Sequence, residues 1–519
     1  MPEVDCPDAV PEGLLAAFDA YESALLANDV VTLDKLFAAG PDTVRGDGTT
    51  LLVGHEAIAG FRSGRTVIPT RRVARLHVRP AGADAALLMA STVEPATGAT
   101  GLQTQLWQRI DGEWKVTAAH VTLPPKPRPP LDASVWRVAG TPLVPSTGSG
   151  PLEGTTVAVK DLFAIGGQKI GAGNPVWLAG QQPRTDTAAA VAALLAAGAE
   201  ITGIARTDEF AYSLAGQNAH YGDAPNPAVP GGISGGSTSG PASAVALGQV
   251  AVGLGTDTAG SVRVPASYQG LVGVRPTHGV ISTDGMLPLA PTFDTVGWLT
   301  RDVATARRVA AVLLPAGSGT LARTVVLPAS EAHAGPDVAT ACADRRAALV
   351  AEGLLPEPET AEADPATLET WFTAFRTVQA YEAWQAHGEW ITAHPGALGP
   401  DVGGRFTTAA TVTAAEAEQA RAVIADARTW LRGLLDGAVL VLPSSAGGAP
   451  ARTASPEDVE TERAGTLRLT CLAGLAGAPA VSLPLLRTAD GRPAGLCLLG
   501  APGTDLALLD LAATIEGAA

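Results

Sequence analysis

The chain has 519 residues and a formal net charge of −16, from 51 acidic and 35 basic side chains. This acidic balance, without any basic stretch, argues against nucleic acid or an anionic membrane as a partner. Hydrophobic residues make up 46% of the sequence, which excludes a largely disordered chain and supports more than one domain.

The cysteines and the N-terminus indicate the compartment. Cys6, Cys342, Cys471 and Cys497 lie far apart without a CxxC pair, which suits a reducing compartment and excludes a disulfide framework. The N-terminal MPEVDCPDAVPEG is acidic, unlike a signal peptide, and apolar runs such as 188–199 are too short to span a bilayer. We therefore expect a soluble cytoplasmic protein.

Residues 1–123 predict an α+β domain. Apolar residues recur at helical spacing near the start: Leu14, Phe18, Tyr21 and Leu25. Further on, two alternating runs flank Asp111-Gly112, which is a strong hairpin signal. The segment is therefore expected to contain helices followed by a β-meander that ends near Leu123.

Proline and glycine mark the next boundary. PPKPRPP at 124–130 breaks regular structure, and the segment as far as STGSG at 146–150 has the composition of a loop. We predict that 124–150 is a linker between the first domain and a second domain at 151–519.

The second domain alternates strand and helix patterns. TTVAVKDLF (155–163) and EITGIAR (200–206) predict strands, and 186–199 predicts a helix capped near Thr185 to Thr187. Residues 360–436 are mostly helical in pattern, and GAVLVLPSS and APAVSLPLL restore strands near the end. This order predicts an α/β domain whose mixed or parallel sheet is flanked by helices.

Lys160 is the first candidate for chemistry. The sequence holds five lysines, and Lys160 ends the apolar run VAVK. A lysine desolvated by apolar neighbours can act as a base, because burial disfavours its charged form, whereas arginine keeps its proton. A lysine that reaches solvent at a strand end, or pairs with Asp161, is the structural alternative.

Two small-residue stretches supply hydroxyls. PGGISGGSTSGPASA (230–244) is a Gly/Ser run that opens a long helix of small residues, with a flexible surface loop as the alternative. Its GISGG matches a nucleophile elbow, but DAPNPAVP rather than a strand precedes it, so that interpretation is set aside.

The second stretch is GTDTAGSVRVPAS (255–267), in which Ser261 lies in a Gly-containing turn. Backbone N–H groups of the turn are expected to form an oxyanion hole, from Thr258, Ala259, Gly260 and Ser261. Asp257 and Arg263 flank the turn, and we expect them to form a structural ion pair across it.

These three pieces, in this order, resemble the amidase signature family over residues 135–515. The resemblance is carried by Lys160 in VAVKD, by Ser237 in GGSTSG and by Ser261 in GTDTAGSVRVPASYQGLVGVRPTHG, with the family's 24-residue step between the two serines. It implies that Ser261 is the nucleophile, that Ser237, after a cis peptide, bridges the proton path, and that Lys160 is the terminal base. Lysine and serine can replace the histidine triad in this way.

The resemblance implies hydrolysis of a small carboxamide to a carboxylate and ammonia or an amine through an acyl-serine. The sequence departs from the family at Ala259, usually glycine, and at STSGPAS, which places Thr238 beside the bridging serine. Neither change removes a catalytic atom, so we expect activity.

Other stretches look closest to the indole-3-acetamide hydrolases, which cleave arylacetamides: GAGNPVWL, TDEFAYSLAGQNAHYGDAPNP, ISTDGMLPLAPTFDTVGWLTRD and QAYEAWQAHGEWI. Candidates for lining the substrate pocket are Tyr212, Asn218, His220 and Tyr221, with a packing role as the alternative for each.

The first domain contains AYESALLANDVVTLDKLF, DTVRGDG, GHEAIAGFRSGR and TQLWQRIDGEWKVTAAHVTL. By these stretches it resembles a different family, the cone-shaped domains related to nuclear transport factor two, over residues 10–123. Stand-alone relatives accompany carboxybiuret and oxalurate amidohydrolases. Such a cone can hold a small acid, for which the candidate residues are Arg45, Arg62, Arg65 and His120. A dimerisation or stabilising module is the alternative.

Three functional alternatives stay open. The same machinery could hydrolyse carbamates, ureas or anilides; the chain could be a non-catalytic amidase-like scaffold; or it could pass ammonia to a partner enzyme. HExxH, a P-loop and a dinucleotide fingerprint after a strand are absent from the sequence, so no metal or other cofactor is expected. A small-molecule amide is the expected partner, and a homodimer stays open.

Overall fold

The computed structural model describes residues 3–47, 50–63, 70–95, 100–122, 132–317 and 319–518. The chain divides into two compact units, an N-terminal unit, Met1–Pro129, and a C-terminal unit, Pro130–Ala519.

The N-terminal unit is α+β in its described part. Its helices are α1 (Leu14–Ala27), α2 (Val30–Leu36) and α3 (His55–Ser63). Its strands are β1 (Glu3–Asp5), β2 (Val44–Asp47), β3 (Thr50–Val53), β4 (Arg72–Pro80), β5 (Ala85–Val93), β6 (Thr100–Ile110) and β7 (Glu113–Thr122). They form one mixed sheet in the order β1-β4-β5-β6-β7-β2-β3.

Two predicted elements of this unit are confirmed. The apolar face of α1 is buried, and the Tyr21 ring meets the edge of Trp107 on β6 at a centroid distance of 6.2 Å. Strands β6 and β7 form the predicted hairpin, with φ of 51° at Asp111 and 83° at Gly112. These positive angles match the right-handed twist of the two strands, which explains the Asp-Gly pair.

The C-terminal unit is an α/β unit. Its strands are β8 (Trp136–Val144), β9 (Thr156–Lys160), β10 (Glu200–Ala205), β11 (Val252–Asp257), β12 (Val272–Arg275), β13 (Thr295–Thr300), β14 (Arg323–Val326), β15 (Pro358–Thr360), β16 (Ala438–Pro443), β17 (Ala480–Arg487) and β18 (Pro493–Gly500). They form one mixed sheet in the order β15-β14-β16-β18-β17-β12-β13-β11-β9-β10-β8 among the described residues.

Helices cover this sheet, as expected. They are α4 (Pro175–Gly180), α5 (Ala189–Ala196), α6 (Ser239–Ala246), α7 (Arg263–Gln269), α8 (Val303–Leu313), α9 (Pro328–Glu331), α10 (Pro336–Ala351), α11 (Pro365–Ala393), α12 (Pro400–Ala409), α13 (Ala414–Leu435), α14 (Pro456–Ala476) and α15 (Asp505–Ala518). In the described part of the chain, no helix combines the length and the hydropathy that crossing a membrane requires.

Three neighbouring parallel strands near one side of the sheet, next to the edge strand β8, position the site. Strand β9 pairs in parallel with β10 on one side and with β11 on the other. Its residues Val157, Ala158 and Val159 are fully buried, as are those of β11, because helices cover both faces. The carboxyl ends of the three strands therefore meet at one edge of the sheet, where Lys160 lies.

The predicted linker needs correction. Within 124–150, residues 124–131 are outside the described residues, but Trp136–Val144 forms β8, which pairs antiparallel with β10. Pro142 follows a cis peptide in this strand, and an edge strand tolerates proline because one side of its backbone needs no sheet partner. The prediction of a loop was therefore wrong for 136–144, because its proline and glycine content is also compatible with an edge strand.

Two helix predictions also differ in detail. Helix α5 begins after Ala188 without a side-chain cap, because the Thr187 hydroxyl accepts a hydrogen bond from Gly166 N instead. Helix α6 starts at Ser239 as the small-residue run predicted, but it has 8 residues and is not long. A second buried helix, α7, begins after the turn that follows β11.

Candidate active site

The side chain of Lys160 ends β9 inside the protein. It has no exposed surface, and its Nζ lies 2.9 Å from Ser237 Oγ, 3.1 Å from Thr238 Oγ1 and 2.8 Å from Thr256 Oγ1. Three hydroxyl groups from two distant segments therefore surround one amine. Ser237 and Thr238 precede α6, and Thr256 lies on β11.

Burial changes the charge state of this amine. Desolvation lowers the pKa of Lys160 from 10.5 to about 7, against the opposing attraction of Asp208, Asp257 and Asp294. Burial also raises the pKa of Asp208 and of Asp294, so two of these acids are themselves biased towards the neutral form. A neutral amine is thus available near neutral pH.

Hydrogen bonding fixes the direction of the contacts. The Thr238 hydroxyl donates to the Thr256 carbonyl oxygen at 3.2 Å, so Thr238 can only accept from Lys160. Among the described residues, the hydroxyls of Ser237 and Thr256 have no other acceptor, so either can donate to the lone pair of a neutral amine. Ser237 is therefore placed to hand a proton to Lys160.

The structural alternatives for Lys160 do not match these contacts. Lys160 does not reach solvent, and the Asp161 carboxylate is bound instead by Arg137, with Nε and Oδ2 2.9 Å apart. Among the described residues, no carboxylate lies within the 4.0 Å of Lys160 Nζ that defines an ion pair.

Ser237 and Ser261 lie on adjacent segments. The Gly236–Ser237 peptide bond is cis, as expected. Thr238 N donates to the backbone oxygen of Ser261 at 3.2 Å, so the residue after Ser237 is hydrogen-bonded to Ser261. Both serines are buried, with 3% of Ser261 exposed.

The turn that carries Ser261 is built around one carboxylate. Asp257, fully buried, accepts from Gly260 N at 2.9 Å, from Val262 N at 3.2 Å and from Arg263 Nη2 at 2.8 Å. The predicted Asp257–Arg263 pair is thus confirmed. Burial alone would raise the pKa of Asp257, but Arg263 and Arg275 together hold it well below its usual range.

Arg275 is a second partner that the sequence analysis missed. Its Nη1 lies 3.0 Å from Asp257 Oδ1, and its Nη2 donates to the Phe293 oxygen at 2.9 Å. The only signal was an arginine at the end of an apolar strand, in GVRPTHG. Arg275 holds the start of the turn in place, because its Nη1 also donates to the backbone oxygen of Asp257.

The predicted oxyanion donors need one correction. The Gly260 N–H is occupied by Asp257 and cannot face a substrate. Within the described part of the chain, the N–H groups of Thr258, Ala259 and Ser261 have no acceptor. Thr470 Oγ1 holds the Ala259 oxygen at 2.6 Å, which keeps the N–H groups of this turn oriented.

A cavity of about 660 Å³ opens onto Ser261 and Ala259. Tyr212 lines it as predicted, together with residues of α11, α12 and α14. The walls from these helices were not predicted, because helical periodicity does not reveal which turn of a helix reaches the site.

The other three predicted pocket residues are placed elsewhere. Asn218 Nδ2 donates to the Gly173 and Thr207 oxygens at 2.9 and 3.1 Å, and His220 Nε2 lies 2.8 Å from Glu209 Oε1. Tyr221 stacks under Arg206, 3.4 Å from the guanidinium carbon to the ring centroid. None of the three lines the Ser261 cavity, because local hydrogen bonds hold the first two and stacking holds the third.

The candidate acid-binding residues of the N-terminal unit differ in their exposure to solvent. Arg45 and Arg62 are buried, whereas His120 is exposed on β7, and Arg65 lies outside the described residues. Arg62 Nη2 donates to the Tyr21 hydroxyl at 3.0 Å. Acid binding by this unit remains a prediction. Nowhere in the described residues do three His, Cys, Asp or Glu side chains group as a metal site would require.

Two family models match the chain. The model described as Amidase matches residues 143–370, and the model described as AtzH-like matches residues 2–126. The second match agrees with the resemblance of the first domain to accessory cone proteins.

Individual proteins are similar over about 70% of the chain. Amidase 1 of Arabidopsis thaliana is 34% identical over 412 residues, which cover 73% of this chain and 96% of that protein. Translocon at the outer membrane of chloroplasts 64 of Pisum sativum is 32% identical over 70% of this chain and 66% of its own length. A solved structure described as "Crystal structure of amidase" has a TM-score of 0.64 and 30% identity, over 71% of this chain and 85% of that one.

Proposed function

The chain belongs to the amidase family, and on that premise we propose that it hydrolyses a small carboxamide through Ser261, Ser237 and Lys160. Ser261 is the nucleophile, Ser237 relays its proton, and Lys160 is the terminal base. The observation that carries the proposal is the 2.9 Å contact between the buried amine of Lys160 and Ser237 Oγ. Ser261 itself lines the cavity.

The proton path starts with the neutral amine. With its pKa near 7, Lys160 accepts a proton from Ser237, which in turn takes the proton of Ser261 as this hydroxyl attacks the amide carbon. The C–N bond then breaks, and the proton returns from Lys160 through Ser237 to the leaving nitrogen. Water repeats the same steps on the acyl-serine and releases the carboxylate.

The developing oxyanion needs donors that are already oriented. The N–H groups of Thr258, Ala259 and Ser261 are the proposed donors, and Asp257 with its two arginines holds their turn rigid. Ala259 in place of the family glycine leaves this role intact, because a side chain on Cα does not remove the N–H.

Two observations support a proposed substrate class, the resemblance of sequence stretches and the lining of the cavity. Primary arylacetamides are the proposed class, because stretches of the sequence resemble the hydrolases of such amides and the cavity is partly apolar, with Leu214, Leu289 and Phe372 among its walls. Carbamates, ureas and anilides are the second class that the same groups could cleave.

The test combines turnover and labelling. Purified enzyme is offered phenylacetamide, indole-3-acetamide and the carbamates and ureas of the same aryl groups, and ammonia or amine release is measured. We expect wild-type turnover of one or more of these substrates and none with Ser261→Ala. Exposed Ser282, changed to alanine, is the control and should behave as wild type.

A fluorophosphonate probe separates a failed substrate guess from a failed mechanism. Wild type is expected to gain one covalent adduct on Ser261, found by peptide mass spectrometry, and Ser261→Ala is expected to gain none. If wild type does not react with the probe and cleaves no amide, the proposal is wrong and the chain is an amidase-like scaffold.

A further inference from the structure

The cavity that holds Ser261 is rich in arginine, although the protein as a whole is strongly acidic. Four arginines line it: Arg376 on α11, Arg405 on α12, and Arg463 and Arg468 on α14. Three carboxylates line it as well: Glu369, Asp401 and Glu460. The lining therefore carries one more positive than negative charge, while the chain carries −16.

The carboxylates are matched one to one with three of the arginines. Arg405 lies 2.8 Å from Asp401, Arg463 lies 2.6 Å from Glu460, and Arg468 lies 2.8 Å from Glu369. Arg376 forms no close ion pair or hydrogen bond among the described residues, although its charge helps to lower the pKa values of Glu369 and Glu460. Its guanidinium lies over the Phe372 ring, 5.9 Å from the centroid. It is the cavity arginine whose hydrogen-bond donors are left for a ligand.

Tyr212 lines the same cavity as three of these arginines. Burial raises the pKa of Tyr212, and the positive charges of Arg376, Arg405 and Arg463 oppose that rise. Arg405 also donates to the backbone oxygen of Tyr212, which fixes that residue at the cavity wall. No described residue bonds to the Tyr212 hydroxyl.

This arrangement favours an anion over a neutral group. Arg405 and Arg463 are close enough for each to oppose the charge of the other, and Arg463 lowers the pKa of Arg405 after burial does so. A planar carboxylate fits the guanidinium fork with two hydrogen bonds and accepts a third from a phenol. It would also offset the excess positive charge.

We propose that the amide substrate carries a carboxylate, which binds to Arg376 and the Tyr212 hydroxyl in the cavity that opens onto Ser261. This inference rests on the proposed function, because it assigns the substrate class of the same cavity. It defines that class by an anionic substituent on the carboxamide, so the class includes arylacetamides that carry a carboxylate but is not limited to them.

Matched substrate pairs test the proposal by turnover. Malonamate, succinamate, glutaramate and 4-carboxyphenylacetamide are each compared with the neutral primary amide of the same skeleton. We expect kcat/KM for at least one anionic member to exceed that of its neutral counterpart tenfold or more, mainly through KM. If the neutral member is the better substrate in every pair, the proposal is overturned.

Variants locate the preference. Arg376→Gln is expected to reduce the anionic-to-neutral ratio of kcat/KM at least tenfold, and Arg376→Lys is expected to restore part of it, because the charge returns without the fork. Arg307 on α8, exposed and paired with Asp510, is the control, and Arg307→Gln should keep the wild-type ratio. An unchanged ratio in Arg376→Gln would contradict the assignment of this residue.

A binding measurement keeps the inference separate from the catalytic proposal. Ser261→Ala protein is titrated calorimetrically with malonate, succinate, glutarate and 4-carboxyphenylacetamide, none of which it is expected to hydrolyse. Saturable binding that Arg376→Gln weakens tenfold or more would support the carboxylate site even if wild type cleaved no tested amide. No saturable binding of any of the four would overturn the site even if wild type were an active amidase.

Discussion

The Nζ of Lys160 and the Oγ of Ser237 lie 2.9 Å apart, although the two residues are 77 positions apart in the chain. Lys160 is the last residue of β9, Ser237 lies just before α6, and both groups are buried. A hydroxyl against a desolvated amine is an arrangement that moves a proton without histidine.

The first prediction concerns pH. Because the pKa of Lys160 is lowered to about 7 and the base must be unprotonated, kcat/KM should be low in acid and rise as the pH increases through about 7. The measurement is kcat/KM from pH 5 to 9 with a substrate that does not titrate in this range. An acid limb centred near pH 4, where carboxylates titrate, would argue that a carboxylate rather than Lys160 is the base.

The second prediction concerns the relay. Ser237→Ala removes the hydroxyl between Ser261 and Lys160 and should lower kcat by about 10²- to 10⁴-fold, the usual contribution of a proton-transfer group. Steady-state turnover and the rate of fluorophosphonate labelling are measured together. Thr256→Ser keeps a hydroxyl against Lys160 and is the control, with activity within a fewfold of wild type. Equal losses in both variants would indicate a packing effect.

The third prediction concerns Thr256 itself. Thr256→Val keeps the shape of the side chain but removes a hydroxyl 2.8 Å from Lys160 Nζ. The amine then loses a polar neighbour that solvates its charged form, so its pKa should fall further and the acid limb of the pH profile should shift to lower pH. The comparison is between the pH profiles of Thr256→Val and Thr256→Ser. A shift to higher pH would contradict this account of the amine.

The fourth prediction concerns Asp257, the carboxylate that accepts hydrogen bonds from the turn that carries Ser261. Asp257→Ala leaves Arg263 and Arg275 buried without their partner, so the free energy of unfolding should fall by about 3–5 kcal/mol. Urea unfolding followed by tryptophan fluorescence measures the loss. Asp490 pairs with Arg492 at the surface, and Asp490→Ala should cost at most about 1 kcal/mol. Comparable losses would mean that the buried network contributes little.

The fifth prediction concerns Gly260. Its φ is 114°, and an added Cβ would lie 3.0 Å from Thr470, so Gly260→Ala combines backbone strain with a clash in the turn before Ser261. We expect activity to fall at least tenfold. The strained backbone should also lower the free energy of unfolding by about 1–3 kcal/mol.

The control for Gly260 isolates the clash. Gly279 has a φ of 81° and nothing within 4 Å of its added Cβ, so Gly279→Ala carries the backbone cost alone. Its activity should stay near that of wild type. If the two variants lose activity to the same degree, the contact with Thr470 does not matter to the turn.

Much of the local structure was determined by the sequence. Helical spacing placed α1, Asp111-Gly112 placed the hairpin of β6 and β7, and a buried apolar run placed β9 with Lys160 at its end. Each of these depends on residues a few positions apart. Local signals were misleading at β8, where the composition predicts a loop. The segment is a strand, Pro142 included, because it pairs with β10.

The composition of the site was decided by tertiary structure. The sequence motifs predicted Lys160, Ser237 and Ser261. No short sequence pattern revealed that Thr256 contacts the amine of Lys160. The same holds for the contact of Arg275 with Asp257 and for the hydrogen bond from Gly260 N to Asp257. The same holds for Arg376, whose cavity is formed by helices more than a hundred residues after Ser261. Periodicity and turn chemistry act over a few residues, whereas burial, charge pairing and free hydrogen-bonding groups depend on which distant segments pack together.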